Sequence, residues 1–522
     1  MISFLSDSRR SRWSLLWLLG LLISALLNLI LAFQEGSREG FWADEMIRIM
    51  NWGGPLEEAI FSEHGRLRYF AFPFWITQRI LPGGKLWLRL LPIIYGTGSV
   101  VLVAILGREL GMRWAGLSAS FMLSVDWLSL RMNTEYADYS QQQFMITLLL
   151  LLSIRMVKHR GDNGLEKWAF WASSVIVMSG RPTNAVVATI CIIWLSIRKE
   201  LWISDLDGTR TDLRSLKSIL QSKYAMICTP IWTIGFLLVL ALIVNPVQTK
   251  VGGQAPDGVL LILISRWINV DFEWLTILGI ASLIPALRVL DREKLSEWIL
   301  LVTSALIPVI SLIVASKTLG FGWMERYLVP VHPIGHLVLL GSIFYVIEWI
   351  FTKSRVVKNL TYTHEEVIRF AVFSVIAIFQ LNILFSGVIP ALEKPSRSNY
   401  IVLMEESLPY IENESLVLST PEYYYWDLSL DIEESEISEF QIHFSAYRSS
   451  EIMENQEAVE CIEDSRFSNI IYIYAGNTQD DELLVNKMGE NREVIFEKEY
   501  FQSKIIVFGI SSNSDAGNCS RW

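Results

Sequence analysis

The chain has 522 residues, of which 52% are hydrophobic and 19% charged, with 20 Trp. Apolar runs near 20 residues recur along most of it, which excludes a purely soluble protein. The net charge of -10 hides a split: residues 393–522 hold 26 Asp+Glu against 9 Lys+Arg, and residues 1–392 hold 28 against 35. An acidic tail repels phosphates, so nucleic acid is not an expected partner.

The first apolar run, Trp13 to Phe33, follows Arg9, Arg10 and Arg12. It is longer than a signal-peptide core and no small-residue cleavage site follows. It reads as a signal anchor with a cytoplasmic N-terminus. Further spans are expected at 89–107, 114–131, 140–156, 168–180, 184–197, 224–244, 272–290, 297–315, 327–350 and 369–388, for a total of about eleven. The runs at 168–180 and 184–197 fall short of the roughly 20 residues a crossing needs. They read as spans extended into their flanks or as a re-entrant pair.

Loop charges support this order. The loops assigned to the cytoplasm hold Arg108 and Arg113; Arg155, Lys158, Arg160 and Lys167; Arg198, Lys199, Arg210, Arg214, Lys217 and Lys223; Arg292 and Lys294; and Lys353, Arg355 and Lys358. Outer loops after the first are poorer in basic residues, and the alternation holds throughout. An odd number of spans puts the tail outside. The expected fold class is a polytopic α-helical membrane domain, residues 1–392, followed by a small extracytoplasmic α/β domain, residues 393–522. In that tail Ser415–Ser419, Asn469–Tyr474, Glu493–Phe496 and Lys504–Ile510 read as strands, and Ile401–Tyr410 and Asp480–Met488 as helices.

Of four cysteines, Cys191 and Cys228 sit in apolar runs as packing residues. Cys461 and Cys519 lie in the tail and are able to pair if it is extracytoplasmic. No Cys/His cluster has zinc-ligand spacing.

The first outer loop, residues 34–88, carries the most informative stretch, Phe41-Trp42-Ala43-Asp44-Glu45-Met46-Ile47-Arg48-Ile49-Met50-Asn51-Trp52. Asp44 stands at an N-cap position. Trp42, Met46, Ile49 and Met50 share an apolar face, so a short interfacial helix is expected to hold Asp44 and Glu45 where water meets lipid. On its own the stretch also fits a capped amphipathic helix with solvated acids.

Gly65-Arg66-Leu67-Arg68-Tyr69-Phe70-Ala71-Phe72-Pro73 supplies donors for a phosphate or anchors for headgroups. Trp87-Leu88-Arg89-Leu90-Leu91-Pro92 places an arginine at the mouth of a span, where it snorkels or grips an anionic headgroup. Two further clusters are Arg131-Met132-Asn133-Thr134-Glu135-Tyr136-Ala137-Asp138-Tyr139-Ser140 and Trp323-Met324-Glu325-Arg326-Tyr327-Leu328-Val329-Pro330. The second leads into a span with His332, Pro333 and His336, histidines expected to be satisfied by neighbouring helices. The clusters share one side of the membrane in the topology drawn from loop charge alone.

At these residues the chain resembles the GT-C superfamily of integral-membrane glycosyltransferases. Within it, the chain is similar to the branch of protein O-mannosyltransferases and of aminoarabinose transferases that modify lipid A. The resemblance covers roughly residues 13–390. It rests on Asp44-Glu45 after the first span, Arg68-Tyr69-Phe70 with Pro73, Trp87 to Pro92, Gly107-Arg108-Glu109-Leu110, Tyr136, and Arg326 to Pro330. It implies a polyprenyl-phosphate sugar donor, a glycan, lipid or protein acceptor, and inversion at the anomeric carbon.

The resemblance also assigns roles. Asp44 would be the general base and Glu45 its assistant. Arg68, Arg89 and Arg326 would stabilise the leaving phosphate, with Tyr69, Tyr136 and Tyr327 as hydrogen-bond donors. Phe72 departs from the aminoarabinose branch, where a lysine meets the donor phosphate, so phosphate binding falls to other residues. The sequence shows no required cofactor, and metal dependence stays open. A transporter or flippase is the alternative, and a scaffold for the tail a third reading. The transporter lacks its sequence signature, since no inverted repeat is seen and the polar clusters sit at one interface rather than in mid-span, and the scaffold would leave Asp44-Glu45 without a purpose.

Overall fold

In the computed structural model the described residues are 8–38, 45, 48–49, 52–60, 69–81, 85–159, 164–180, 182–206, 292–319, 325–353, 362–392, 408–411, 415–420, 442–446, 469–475, 479–500 and 503–510. The chain divides into two compact units. One comprises Met1–Glu35, Pro55–Thr77 and Arg89–Pro390, and the other Gly36–Gly54, Gln78–Leu88 and Ala391–Trp522.

The first unit is built of helices: α1 (Ser8–Arg38), α2 (Leu56–Ile60), α3 (Ala71–Ile80), α4 (Lys85–Glu109), α5 (Arg113–Val125), α6 (Trp127–Asn133), α7 (Tyr139–Lys158), α8 (Gly164–Ser179), α9 (Pro182–Leu206), α10 (Arg292–Leu319), α11 (His332–Lys353), α12 (Tyr362–Ile383) and α13 (Ile389–Leu392). A 3-10 turn, Glu325–Val331, leads into α11. A π-helical turn, Leu384–Val388, joins α12 to α13.

Five helices among the described residues are long and apolar enough to cross a membrane: Arg12–Ser37, Leu86–Glu109, Lys294–Ile313, Leu328–Ile347 and Glu365–Val388. The chain is thus a multi-pass membrane protein, with five such helices in place of the eleven expected. Of the other six, 224–244 and 272–290 lie outside the described residues. The run at 114–131 is interrupted: Asp126 ends α5 after 13 residues and caps α6, and 13 residues span only about 20 Å. Helix α7 opens on Tyr139-Ser140-Gln141-Gln142-Gln143, and α8 has only 16 residues. In α9 the apolar part is confined to Asn184–Ser196.

The physical reason is burial. Every α5 residue from Trp114 to Val125 is buried, so its surroundings are protein rather than lipid, and the demand for an unbroken apolar stretch is relaxed. The best apolar window is 83% buried in α11 but only 11% in α12. Helix α11 is therefore central. Helix α12 turns Val375, Ile378 and Phe385 of the following π turn outward, the surface a lipid would cover.

The α4–α5 hairpin sets the register of the core. Gly111 adopts φ +78, the left-handed conformation that glycine enters without a Cβ clash, and Met112 N–H donates to the Gly107 carbonyl at 2.8 Å. The two helices then touch backbone to backbone at Gly107 and Gly116. At this end Glu366 of α12 accepts from Arg113, from Trp114 Nε1 at 2.7 Å and from Arg369 at 2.9 Å. Trp13 and Phe370 each pack edge to face on Trp114. Glu366→Ala leaves the buried Trp114 N–H and two guanidinium groups without their carboxylate. We expect a loss of about 1.5–3 kcal/mol, the range for hydrogen bonds to a charged group, read as a lower midpoint in thermal unfolding of the detergent-purified protein.

The second unit holds a five-stranded sheet, order β2-β1-β3-β5-β4, of β1 (Ser415–Thr420), β2 (Ile442–Ala446), β3 (Asn469–Ala475), β4 (Arg492–Tyr500) and β5 (Ser503–Ile510). Four of these strands lie where alternation places them; β2 is not evident from the pattern. Strands β2, β1 and β3 run parallel, and β5 and β4 are added antiparallel. Register puts Leu416, Ile470, Tyr472, Ile506 and Phe508 on one face, against Leu484 and Met488 of α14 (Gln479–Asn491). Those last two are four apart and share one helix stripe. Of the expected helix Ile401–Tyr410, only Leu408–Tyr410 is described, as a 3-10 turn. Cys228, Cys461 and Cys519 lie outside the described residues, and Cys191 is buried and unpaired with another cysteine.

Candidate functional site

The helix break at Asp126 builds the site. Its backbone leaves helical geometry (φ -67, ψ 111), and its carboxylate accepts from Leu128 N–H at 3.2 Å and from Ser129 Oγ at 2.7 Å. This is the N-cap arrangement that satisfies an orphan helix donor. The same Oδ2 lies 3.0 Å from His332 Nδ1 and 3.7 Å from His336 Nε2. The two histidines open α11 four residues apart and so share a face. Both are fully buried, and Asp126 is 4% exposed.

Residues 133–143 continue this polar interior. The expected loop between spans is not a solvated one: Asn133, Thr134, Glu135, Tyr136, Asp138, Tyr139, Ser140, Gln141, Gln142 and Gln143 are all buried. Two glycines make room for it. A Cβ on Gly96 of α4 would stand 2.2 Å from Asn133 Cγ, and one on Gly180 would stand 2.6 Å from Gln142 Cδ. Asn184 of α9 donates to Gln142 Oε1 at 3.3 Å. Met132, Ala137 and Tyr139 pack on Val329 of the 3-10 turn. Among the described residues, both amide atoms of Asn133 and of Gln143, and Nε2 of His332, have no hydrogen-bond partner. An unmet buried polar atom costs about 1–3 kcal/mol, so each of these atoms calls for a polar partner.

The residues singled out from sequence are distributed as follows. Asp44 and Arg68 lie outside the described residues, as do the side chains of Arg326 and Tyr327, whose backbone forms the 3-10 turn. Glu45 is fully buried in the second unit. That unit also pins residues near it: Gln78 donates to the Ile49 carbonyl at 3.1 Å, and Arg79 to that of Gly54 at 2.7 Å. Arg89 is fully buried in the first unit. Snorkelling is thereby excluded, and a buried guanidinium persists only where counter-groups meet it. Tyr69 is 43% exposed.

Tyr136 is fully buried and donates its hydroxyl proton to the Phe74 carbonyl at 3.2 Å, with its ring edge-on to Phe74 at 5.2 Å. Burial pushes the hydroxyl above its ordinary range, opposed by Thr77, so it stays protonated and keeps donating. Tyr136→Phe removes this tie to α3. We expect a loss of about 1 kcal/mol, visible as a small fall in the unfolding midpoint with the oligomeric profile unchanged.

Asp126 was not legible as a site residue. The available signal is a lone acid inside an otherwise apolar run, which in membrane segments is rarely idle.

No protein-family profile matches the chain, and no curated protein matches it. Solved structures do. ArnT from Cupriavidus metallidurans bound to undecaprenyl phosphate matches at 12% identity and TM-score 0.51, covering 96% of this chain and 99% of that one. Its apo form matches at 11% and 0.50, covering 96% and 98%. The archaeal oligosaccharyltransferase AglB from Archaeoglobus fulgidus, in complex with an inhibitory peptide and a dolichol-phosphate, matches at 13% and TM-score 0.45, covering 87% and 69%. Over nearly its whole length the chain shares the fold of these two ArnT structures.

Proposed function

We propose that the chain is a glycosyltransferase that moves a sugar from a polyprenyl-phosphate donor to an acceptor hydroxyl at the non-cytoplasmic face, with inversion. The observation that carries the reading is the end-to-end likeness to an ArnT structure holding undecaprenyl phosphate. The buried polar interior at the α5–α6 break and the start of α11 supports it. A membrane protein keeps so many buried donors and acceptors where a polar group must be held.

In this reading the acceptor oxygen attacks the anomeric carbon from the face opposite the phosphate. The carbon–oxygen bond to the phosphate breaks, and Asp44 takes the acceptor's proton. Glu45 positions the acceptor. Arg68, Arg89 and Arg326 offset the charge that develops on the departing lipid phosphate, with Tyr69 and Tyr327 as further donors. Tyr136 contributes by holding α3 in place. The N-terminus is cytoplasmic and the acidic tail lies outside, where it contacts the glycan, lipid or protein acceptor.

The test is mass spectrometry of envelope glycans and of polyprenyl-phosphate sugars in cells with and without the gene. The expected result is loss of one sugar modification together with accumulation of one lipid-linked sugar. Unchanged glycans and unchanged lipid-linked sugars would refute the reading.

A further inference from the structure

We propose that Asp126, His332 and His336 form a binding site for one divalent transition-metal cation of the zinc type, independently of whether the chain is a transferase. Among the described residues they are a set whose ligand atoms all lie within 4.8 Å of one another, and all three are buried. Four-coordinate zinc with bonds of about 2.0–2.2 Å spaces neighbouring ligand atoms by roughly 3.3–3.5 Å. The distances from Asp126 Oδ2, 3.0 Å to His332 Nδ1 and 3.7 Å to His336 Nε2, fall on either side of that spacing.

The arrangement is more than one hydrogen-bonded pair. An Asp–His bond accounts for the 3.0 Å contact, but 3.7 Å is too long for a hydrogen bond, yet His336 turns a ring nitrogen to the same oxygen. The histidines stand at i and i+4 of one helix, the spacing with which two imidazoles grip one cation. Two imidazoles and one carboxylate suit zinc, whereas magnesium and calcium favour oxygen ligands. The Ser129 hydroxyl donates to Oδ2 and holds the carboxylate in orientation. A fourth coordination position remains for water or another donor.

The cation would join the end of α5 to the start of α11. It would thereby fix the 3-10 turn Glu325–Val331, which ends where His332 begins.

The experiment uses full-length protein purified in detergent, desalted into metal-free buffer and titrated with Zn2+, with bound metal read by elemental analysis. We expect about one zinc per chain, and at least about tenfold weaker binding in His336→Gln and Asp126→Asn. The exposed His159, paired with Glu166, serves as control, and His159→Gln binds as wild type. Because the ligand variants can misfold, the wild type is also loaded with Co2+. Intense visible absorption of a four-coordinate site is expected. Absence of stoichiometric zinc, zinc affinity unchanged in both ligand variants, or the weak six-coordinate cobalt spectrum would overturn the proposal.

Discussion

Asp44→Asn is expected to lower the rate of sugar transfer by about 10²–10⁴-fold, the usual contribution of a positioned proton acceptor, while leaving donor binding intact. Asparagine keeps the shape and a hydrogen-bond acceptor of aspartate, so the acceptor hydroxyl can still be held. It cannot take the proton as the oxygen becomes nucleophilic, and the loss falls on turnover rather than on binding. Transfer from a labelled polyprenyl-phosphate sugar, measured beside equilibrium binding of the same lipid, separates the two. A variant with wild-type turnover would remove Asp44 from the chemistry. A transporter would show the opposite pattern, with flux indifferent to this change.

The second large effect is structural. Gly116→Ala should destabilise the protein by about 2 kcal/mol or more, and Gly116→Val should prevent accumulation of folded protein. Taken alone, alanine in place of a helical glycine stabilises by about 1 kcal/mol. Here the added methyl would stand 2.8 Å from Gly107 Cα and 2.9 Å from the Ala104 carbonyl oxygen. Those neighbours are backbone and cannot rotate away, so α4 and α5 must separate, and overpacking of this kind costs about 1–3 kcal/mol or more. Gly164 has nothing among the described residues within 4 Å of its would-be Cβ, so Gly164→Ala is expected to be neutral or mildly stabilising. Thermal unfolding in detergent compares the two. Equal midpoints for Gly116→Ala and wild type would contradict the close approach.

The two effects probe different levels. In the proposed reaction Asp44 acts on a reacting atom, whereas Gly116 acts by setting where α5 ends. That end is Asp126, and Asp126 is the residue that meets α11 through His332 and His336. A displacement of the hairpin at one end of α5 is transmitted along a rigid, fully buried helix to the polar interior at the other. A partly folded Gly116 variant should therefore also bind zinc more weakly than wild type.

Sequence alone determined what depends on composition and local periodicity. Apolar length specified a membrane protein, because a crossing needs about 20 apolar residues. Alternation located β1, β3, β4 and β5, since a strand buried on one face repeats every two residues. Only the tertiary structure decided what depends on the environment of a residue. Whether 114–131 crosses as one helix turned on Asp126 finding Ser129 and His332 as partners. Whether 133–143 is wet or buried turned on Gly96 and Gly180 admitting Asn133 and Gln142. The pairing of Asp126 with histidines more than 200 positions away was invisible for the same reason. Sequence spacing reports neighbours along a helix, as it does for His332 and His336, but not the residue that packing brings to them.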